Sequence, residues 1–444
     1  MSVEGGPAGG VASRRLAAEI LERVEKGAWA SRLLAARADR LSDRRDRALL
    51  SRLVLDTLRW QGALDPRLSA HLSHPLDRLA PPVRALLRLG LCQALVMGIP
   101  APVAVSTVVD AARSAGAGRG AGLINAVLRR CCRQPAAPLD PRACFPSWLI
   151  ERWTRRWDAA RAEALAAACN RRARPFVVAL GSSGGPEALA ASLAEEGVET
   201  VPSTEVPGGL EVQAGAPQLS VAHRRGACVI LDPSAARVAI LAAAVAPEGL
   251  AVDLAAAPGG KATLLIDRRQ GPLVALEPVP SRLRALSGNL RRRFDGERFA
   301  LVRGDALAAP LDEGRFEMVL LDAPCSGSGT LRRHPDRRWR LTPAAIEQAA
   351  ALQARMLDAA ARLVAPGGVL LYAVCSIEDE EGVEVIGDFL ARDRDFEALD
   401  PSPWLARSAD ASVSSDPPLL EILPLGEGDG FQAALLRRVR AGSG

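Results

Sequence analysis

Apolar side chains recur at helical spacing through the first third of the chain. Leu16, Ile20 and Val24 lie four positions apart, and similar repeats continue to about residue 133. Pro81 stands where one of these repeats begins and Gly98 where it ends, as is typical of helix boundaries. The pattern predicts an all-α domain over residues 13–134, preceded by a disordered tail over residues 1–12.

The second half of the chain alternates short apolar runs with longer helical stretches, which is typical of a mainly parallel α/β sheet. The predicted strands lie at residues 250–257, 273–278, 299–305, 316–325 and 368–376. Between the two halves, a proline-rich linker, an amphipathic helix and a strand–helix–strand pattern end near Gln213. We therefore expect a linker helix and small α/β subdomain over residues 135–215, and a doubly wound domain over residues 216–444.

Composition narrows the class of protein. Hydrophobic residues make up 48% of the 444 residues, and no apolar run approaches the roughly 20 residues of a membrane span. The first residues show no basic-then-apolar signal pattern, so we expect a cytoplasmic protein. The chain has eight cysteines, none of them in a CxxC pair, and only four histidines, so we expect no metal site. We also expect a monomer.

The basic residues are almost all arginine, and the net charge is +5. Lys26 and Lys261 are the only lysines. In a chain that uses arginine almost everywhere else, the lysine at position 261 suggests that a compact ammonium group is needed there. Several arginine clusters, including the one from Arg332 to Arg340, would suit contacts with nucleic-acid phosphates.

Polar or reactive residues follow all five predicted strands of the doubly wound domain. Ligands of such sheets bind beyond the carboxyl ends of the strands. One polar residue after a strand is ordinary, but five in succession are more than a structural scaffold needs. These residues are Asp253, Glu277, Asp305, Asp322 with Cys325, and Cys375.

The turn after the first of these strands reads DLAAAPGGK over residues 253–261. Its two adjacent glycines let backbone N–H groups approach a ligand closely at the start of a helix. The turn lacks the Lys-Ser/Thr pair of a nucleoside-triphosphate loop and the G-x-G-x-x-G of a nicotinamide-dinucleotide site. Glu277 is placed to hydrogen-bond ribose hydroxyls. The pattern favours S-adenosylmethionine, which carries a ribose and an adenine but no phosphates.

Two further motifs carry cysteines: DAPCSGSG over residues 322–329 and YAVCSIEDEEG over residues 372–382. An isolated cysteine at a strand end is most often a small buried hydrophobe, whereas two of them beside Asp322 suggest chemistry. Together with the PGGK turn, these motifs resemble the Sun family of RNA (cytosine-5) methyltransferases. The first third, in stretches such as residues 46–60 and 122–130, resembles the NusB-like RNA-binding domain.

The resemblance implies a fold and a reaction. The fold is a Rossmann-like S-adenosylmethionine-dependent methyltransferase domain, preceded by an all-α NusB-like domain and a small α/β linker subdomain. The substrate is a single-stranded or flipped cytosine of 16S rRNA, specifically cytosine 967. Because cytosine C5 is a poor nucleophile, the Cys375 thiolate would add to C6, and Cys325 would later help to remove the C5 proton. Asp322 would hydrogen-bond the base, and Lys261 would neutralise Asp322 or orient the base.

The resemblance also assigns binding residues. Those expected to hold the cofactor are Ala255, Ala256, Ala257, Pro258, Gly259, Gly260, Lys261, Glu277, Asp305 and Asp322. Those expected to contact RNA phosphates are Arg332, Arg333, Arg337, Arg338 and Arg340.

Some positions depart from the family pattern, and three alternatives stay open. Val374 stands where the family usually has threonine, Gly382 where it often has asparagine, and residues 231–235 read LDPSA instead of Q-D-E-A-S. The chain could be a non-catalytic RNA-binding or ribosome-assembly factor, or it could methylate another RNA. It could also be a DNA cytosine-5 methyltransferase with Cys325 as nucleophile, although the second cysteine argues against this.

Overall fold

The computed structural model describes residues 8–114, 118–133, 137–405, 408 and 410–439. The described chain forms two compact units. The first, the helical unit, contains the residues up to Arg172 together with Leu331–Arg340. The second, the α/β unit, contains Ala173–Thr330 and the residues from Leu341 onward.

The helical unit is built around one leucine-rich core to which its first six helices contribute. Its helices are α1 (Ala8–Glu25), α2 (Ala30–Arg37), α3 (Arg44–Ser69), α4 (Pro81–Leu95), α5 (Ala101–Ser114), α6 (Ala121–Cys131), α7 (Ser147–Arg156) and α8 (Ala159–Asn170). Local signals set their limits: the Asp43 carboxylate accepts a hydrogen bond from the Arg45 N–H at the start of α3, and Pro81 begins α4. The all-α prediction is confirmed.

The predicted tail over residues 1–12 is too long. Helix α1 begins at Ala8, and its apolar positions continue the spacing of Leu16 and Ile20, both of which are buried. Residues 8–12 are therefore helical, while residues 1–7 lie outside the described residues.

The α/β unit contains a small antiparallel sheet of four strands, in the order β2-β3-β1-β4. Its strands are β1 (Phe176–Ala179), β2 (Glu199–Pro202), β3 (Gly209–Ala214) and β4 (Cys228–Ile230). Helices α9 (Pro186–Glu195) and α10 (Val221–Arg224) accompany them. The predicted strand–helix–strand pattern is present, but the sheet continues past the expected end at Gln213, because β4 pairs with β1.

The large sheet of the α/β unit has nine strands, in the order β11-β12-β13-β9-β8-β5-β6-β7, with β10 also paired to β13. The strands are β5 (Ala251–Asp253), β6 (Leu273–Leu276), β7 (Phe299–Val302), β8 (Phe316–Asp322), β9 (Val364–Val374), β10 (Phe396–Leu399), β11 (Ala411–Val413), β12 (Leu420–Ile422) and β13 (Phe431–Arg438). Its helices are α11 (Pro233–Val245), α12 (Gly260–Arg268), α13 (Pro280–Arg291), α14 (Pro343–Leu363) and α15 (Val383–Arg392).

The five strands predicted from apolar runs form the parallel part of this sheet, β7-β6-β5-β8-β9. The α/β fold is therefore confirmed. The sheet is more mixed than expected, because β13 pairs antiparallel with β9 and brings β10, β11 and β12 with it.

The order of the parallel strands fixes where a ligand can bind. From β5 the chain first builds outward through β6 and β7, then crosses to the other side of β5 to form β8 and β9. The connections at the carboxyl ends of β5 and β8 therefore diverge and leave a crevice between them.

In the described part of the chain, no helix is both long and apolar enough to cross a membrane.

Candidate active site

The PGGK turn lines a cavity of about 260 Å³ at this crevice. Gly259 has a left-handed backbone, with φ of 108°, and a Cβ added there would lie 2.9 Å from the Leu286 side chain. Position 259 thus requires glycine for both conformation and space. The turn delivers the N-terminus of α12, with its unpaired backbone N–H groups, to the cavity.

The cavity brings together part of the predicted cofactor set. Residues 255–261 and Asp322 line it, along with Asp253 from the end of β5. Glu277 and Asp305 do not line it. The buried Glu277 carboxylate accepts a hydrogen bond from the Val279 N–H at 2.9 Å and lies 3.5 Å from Arg282. Asp305 is exposed and accepts from the Leu307 N–H.

Three charged groups meet between the ends of β5 and β8. The Lys261 ammonium donates to Asp322 at 2.8 Å and lies 5.1 Å from the ring centre of Phe431. Although burial works against it, the charge and hydrogen bond of Asp322 raise the pKa of Lys261. Burial, together with the nearby charge of Asp322, raises the pKa of Asp253 to about 7. Asp322 keeps 29% of its side chain exposed and can still meet a ligand.

The two predicted catalytic cysteines face each other. Cys325 follows β8 and Cys375 follows β9, and these neighbouring parallel strands place their sulfur atoms 2.9 Å apart. Both are free thiols. The hydrogen bond with Cys375 and burial raise the pKa of Cys325 well above its usual range. The two sulfur atoms are within hydrogen-bond distance, and either thiol can be the donor.

A buried polar network lies beneath the cysteines. The Glu381 carboxylate accepts hydrogen bonds from the backbone N–H of Ser326 at 2.7 Å and from the hydroxyl of Ser376 at 2.5 Å. Ser326 follows Cys325 and Ser376 follows Cys375, so a single side chain contacts both cysteine loops. Glu381 is fully buried.

The surroundings of Gly382, one of the departures from the family pattern, leave no space for a side chain. A Cβ added at Gly382 would lie 1.6 Å from the side-chain oxygen of Gln432 on β13. Gln432 is buried and donates to the backbone oxygens of Ser376 and Glu378 at 3.3 and 3.0 Å. Gln432 thus takes the space that any side chain at position 382 would need.

The structure corrects the expected phosphate contact for Arg338. Residues 331–340 belong to the helical unit, where Arg338 is fully buried. It donates to the Asn170 side chain at 2.7 Å and to the backbone oxygens of Arg59 and Cys169 at 2.9 and 2.6 Å. Its guanidinium also stacks on Phe145 at 4.2 Å. Arg338 therefore holds the segment in place and cannot reach a phosphate.

The other predicted RNA contacts divide by exposure. Arg332 is 4% exposed and is as unsuited to a phosphate contact as Arg338. Arg340 is half-buried, stacks on Trp29 and donates to backbone oxygens that follow α1, including that of Gly27 at 3.1 Å. Arg333 and Arg337 have the same intermediate exposure as Arg340, and the Arg337 guanidinium also lies over the Trp29 ring, 5.4 Å from its centre.

Several site residues were not anticipated from the sequence. His223, Asn289 and Arg293 line the cavity, although none of them follows a strand of the parallel sheet. Glu381 is one of four successive acidic residues, a pattern that ordinarily marks a solvated surface. The motif spacing could have placed it near Cys375, but nothing in the sequence distinguishes the two buried acids, Glu378 and Glu381, from the two residues between them.

Family models match three successive segments of the chain. Residues 11–133 match the NusB family, residues 145–217 match the RsmF/B-like ferredoxin-like domain, and residues 240–437 match the 16S rRNA methyltransferase RsmB/F. The predicted order of the three parts is thereby confirmed.

Similar proteins agree with these matches. The chain is 36% identical over 396 residues to ribosomal RNA small subunit methyltransferase B of Xanthomonas campestris, covering 88% of this chain and 90% of that protein. It is 32% identical to the protein of the same name from Cronobacter sakazakii, covering 95% and 98%. The crystal structure of PH0851 superposes with a TM-score of 0.79 at 26% identity, covering 99% of this chain and all of that one. The chain belongs to the 16S rRNA methyltransferase RsmB/F family.

Proposed function

We propose that the chain transfers a methyl group from S-adenosylmethionine to C5 of a cytosine in 16S rRNA, through a covalent bond between Cys375 and C6. The observation that carries this proposal is the pair of thiols 2.9 Å apart beside the Lys261–Asp322 ion pair. An assembly factor that only bound RNA would have no need for two adjoining thiols and a partly exposed carboxylate at the edge of a ligand cavity.

The cavity suits S-adenosylmethionine. Two carboxylates, Asp253 and Asp322, line the cavity beside the PGGK turn and suit a ligand that carries positive charge, although His223, Lys261 and Arg293 also line it. When bound, the cofactor would supply an electrophilic methyl group on a sulfonium. Glu277 and Asp305, although outside the cavity, lie near the ends of β6 and β7 and would frame its ribose and adenine.

The base would be held and activated by Asp322 and Cys375. Asp322 would accept a hydrogen bond from the cytosine, with Lys261 holding the carboxylate in place. Cys375 would add to C6 as the thiolate, forming the S–C6 bond and shifting an electron pair toward C5, which then takes the methyl group.

Release of the enzyme from the methylated base would depend on the ionisation of Cys325. The hydrogen bond with Cys375 is the first cause of the raised pKa of Cys325. Once Cys375 is bonded to C6 it no longer carries a negative charge, so Cys325 can lose its proton to solvent. The Cys325 thiolate would then take the C5 proton, the S–C6 bond would break, and Cys375 would leave as the thiolate. One proton is released in each cycle, as the overall reaction requires.

Fewer arginines can contact RNA phosphates than the sequence suggested, because Arg332 and Arg338 are buried. We retain Arg333, Arg337 and Arg340 as candidate phosphate contacts, since all three are partly exposed. The proposed domain limits are residues 13–134, 135–215 and 216–444 with two changes: the first domain starts at Ala8, where α1 begins, and the second extends to Ile230, where β4 ends. The three family matches, over residues 11–133, 145–217 and 240–437, support this division. The substrate would be met in the cytoplasm, by a monomer.

Mapping of 5-methylcytosine in ribosomal RNA tests this function. A strain without the gene should lack one 5-methylcytosine in 16S rRNA, expected at cytosine 967. The wild-type gene should restore it, and a gene encoding Cys375→Ala should not. An unchanged map in the deletion strain would instead favour the assembly-factor alternative.

A further inference from the structure

We propose that Glu381 is a positioning residue for the cysteine pair, a role that rests on the function proposed above. Its carboxylate ties the loop after Cys325 to the loop after Cys375. Its negative charge opposes a second negative charge on Cys325, so that Cys375 alone is prepared to attack the base.

The hydrogen bonds of Glu381 fill both carboxylate oxygens. Oε1 accepts from the Ser326 N–H at 2.7 Å and from the Gln353 amide at 2.9 Å. Oε2 accepts from the Ser376 hydroxyl at 2.5 Å and from the Ser326 hydroxyl. Four donors are as many as one carboxylate can accept, and two of them, the Ser326 N–H and the Gln353 amide, can only donate. The site is built for an acceptor that is fixed from both loops.

Further hydrogen bonds around Glu381 connect the two cysteine loops. The Gln353 amide that reaches Glu381 also donates to the backbone oxygen of Pro324, the residue before Cys325, at 3.0 Å. The Tyr372 hydroxyl donates to the backbone oxygen of Glu381 at 2.6 Å. The residues that follow Cys325 and Cys375 in the chain therefore both contact one buried carboxylate. Loss of that carboxylate would leave several buried donors unpaired and the sulfur–sulfur distance undefined.

The charge of Glu381 acts on Cys325. The groups that raise the pKa of Cys325 are, beside burial, Cys375, Glu381 and Asp322. Tyr372 is neutral at ordinary pH, because burial and the charges of Cys325 and Glu381 raise its pKa. The charges that act most strongly on Cys325 are thus negative ones, whereas Cys375 lies close enough to Lys261 to help raise the pKa of that lysine. Cys325 thus faces negative charge and Cys375 faces a cation.

Two variants at position 381 separate geometry from charge. Glu381→Gln keeps an oxygen for the Ser326 N–H and the Gln353 amide, and its NH₂ can donate to the two serine hydroxyls, which can rotate to accept. It removes only the charge. Glu381→Ala removes both the charge and the contacts. Glu347→Gln, at an exposed position on α14, removes a charge without touching the network and serves as the control.

The first measurement follows the ionisation of Cys325 without RNA or cofactor. In full-length protein carrying Cys375→Ser, alkylation of Cys325 by iodoacetamide is followed against pH by mass spectrometry of its peptide. Glu381→Gln should move the midpoint to lower pH by about one unit, because one nearby negative charge is gone. Glu347→Gln should not move it. An unmoved midpoint in Glu381→Gln would overturn the electrostatic part of the proposal.

The second measurement concerns turnover. Misplacement of reacting groups by about 1 Å can cost about 100-fold in rate. Glu381→Ala should therefore lower kcat by about 100-fold with little change in KM for RNA, while Glu381→Gln should recover at least tenfold of that loss. Equal activity of both variants and wild type would overturn the positioning role. If wild type itself neither methylates nor bonds to RNA, the proposed function fails, and the alkylation result still decides the effect of Glu381.

Discussion

At the scale of single residues, the site depends on a buried acid, Glu381, in a run of acidic residues that the sequence suggests is exposed to solvent. Of the acidic residues at positions 378–381, Glu381 binds both cysteine loops. The sequence identified Cys325, Cys375 and the PGGK turn, because the chemistry requires those residue types. It could not identify Glu381, because the burial of an acidic residue depends on which loops fold over it and not on its residue type.

Gly382 and Gln432 should be energetically coupled. Gly382→Ala should lower the free energy of unfolding by about 2 kcal/mol, because its Cβ would overlap a buried Gln432 that two hydrogen bonds hold in place. In a Gln432→Ala background the same change should cost less than half as much. Chemical denaturation of the four proteins measures both values.

Gly387→Ala is the matched control for that experiment. Gly387 lies in α15, and an added Cβ would meet nothing within 4 Å. It should stabilise the protein by about 0.5–1 kcal/mol, as alanine does relative to glycine within a helix. Equal costs of Gly382→Ala with and without Gln432 would show that the two positions are independent.

Asp253 should make stability depend on pH. Its pKa is about 7 in the folded protein, against an ordinary value of 3.8, so the folded state keeps a proton that the unfolded state releases. Its contribution is fully favourable below about pH 4 and is lost as the pH rises toward 7, by up to about 4 kcal/mol. Asp253→Asn removes the charge but keeps an oxygen for the Ala255 N–H.

The expected result is a stability difference that grows with pH. Urea unfolding should show Asp253→Asn and wild type to be similar near pH 4, and the variant to be more stable at pH 8. Asp312→Asn, at an exposed position, should show no such trend. A difference that stays constant between pH 4 and pH 8 would mean that Asp253 is ionised throughout.

At the scale of elements, long apolar runs were predictable and short strands were not. The five parallel strands read as apolar segments, and all but the edge strand β7 are largely buried on both faces, so β8 and its neighbours were found from sequence. Strands β11 and β12 have three residues each with a polar residue in the middle, whereas β5, which is equally short, was found because it lies within the apolar run 250–257. The antiparallel edge of the large sheet follows from the long-range pairing of β13 with β9, which no local pattern encodes.

The segment Leu331–Arg340 shows the same limit. From sequence its arginines suggested an RNA-binding loop, whereas Arg338 is a buried support within the helical unit. Arg338→Ala should destabilise that unit by about 3 kcal/mol or more, because several buried acceptors lose their donor.

Arg338→Lys should rescue little of this loss, because a lysine cannot reproduce the planar set of donors or the stacking on Phe145. Arg40→Ala, at an exposed position of the same unit, should change stability by less than about 0.5 kcal/mol. Thermal unfolding followed by circular dichroism measures all three. A stability of Arg338→Ala equal to that of Arg40→Ala would refute the supporting role.

At the scale of the whole molecule, family and reaction class were accessible from sequence, because three motifs and a helical domain occur in one order. The sequence did not determine which arginines face solvent, since the same residue type serves both as a buried support and as a surface charge. Burial of Arg332 and Arg338 leaves a smaller set of candidate RNA contacts than the sequence suggested.

The division of labour between the two cysteines is the central claim, and covalent trapping tests it most directly. Full-length protein is incubated with a cytosine-containing 16S rRNA transcript and S-adenosylmethionine, then separated under denaturing conditions. Cys325→Ala should accumulate a protein–RNA complex that survives denaturation, because Cys375 still attacks C6 but release is blocked. Cys375→Ala should form none. A complex trapped by Cys375→Ala and not by Cys325→Ala would reverse the two roles and contradict the account.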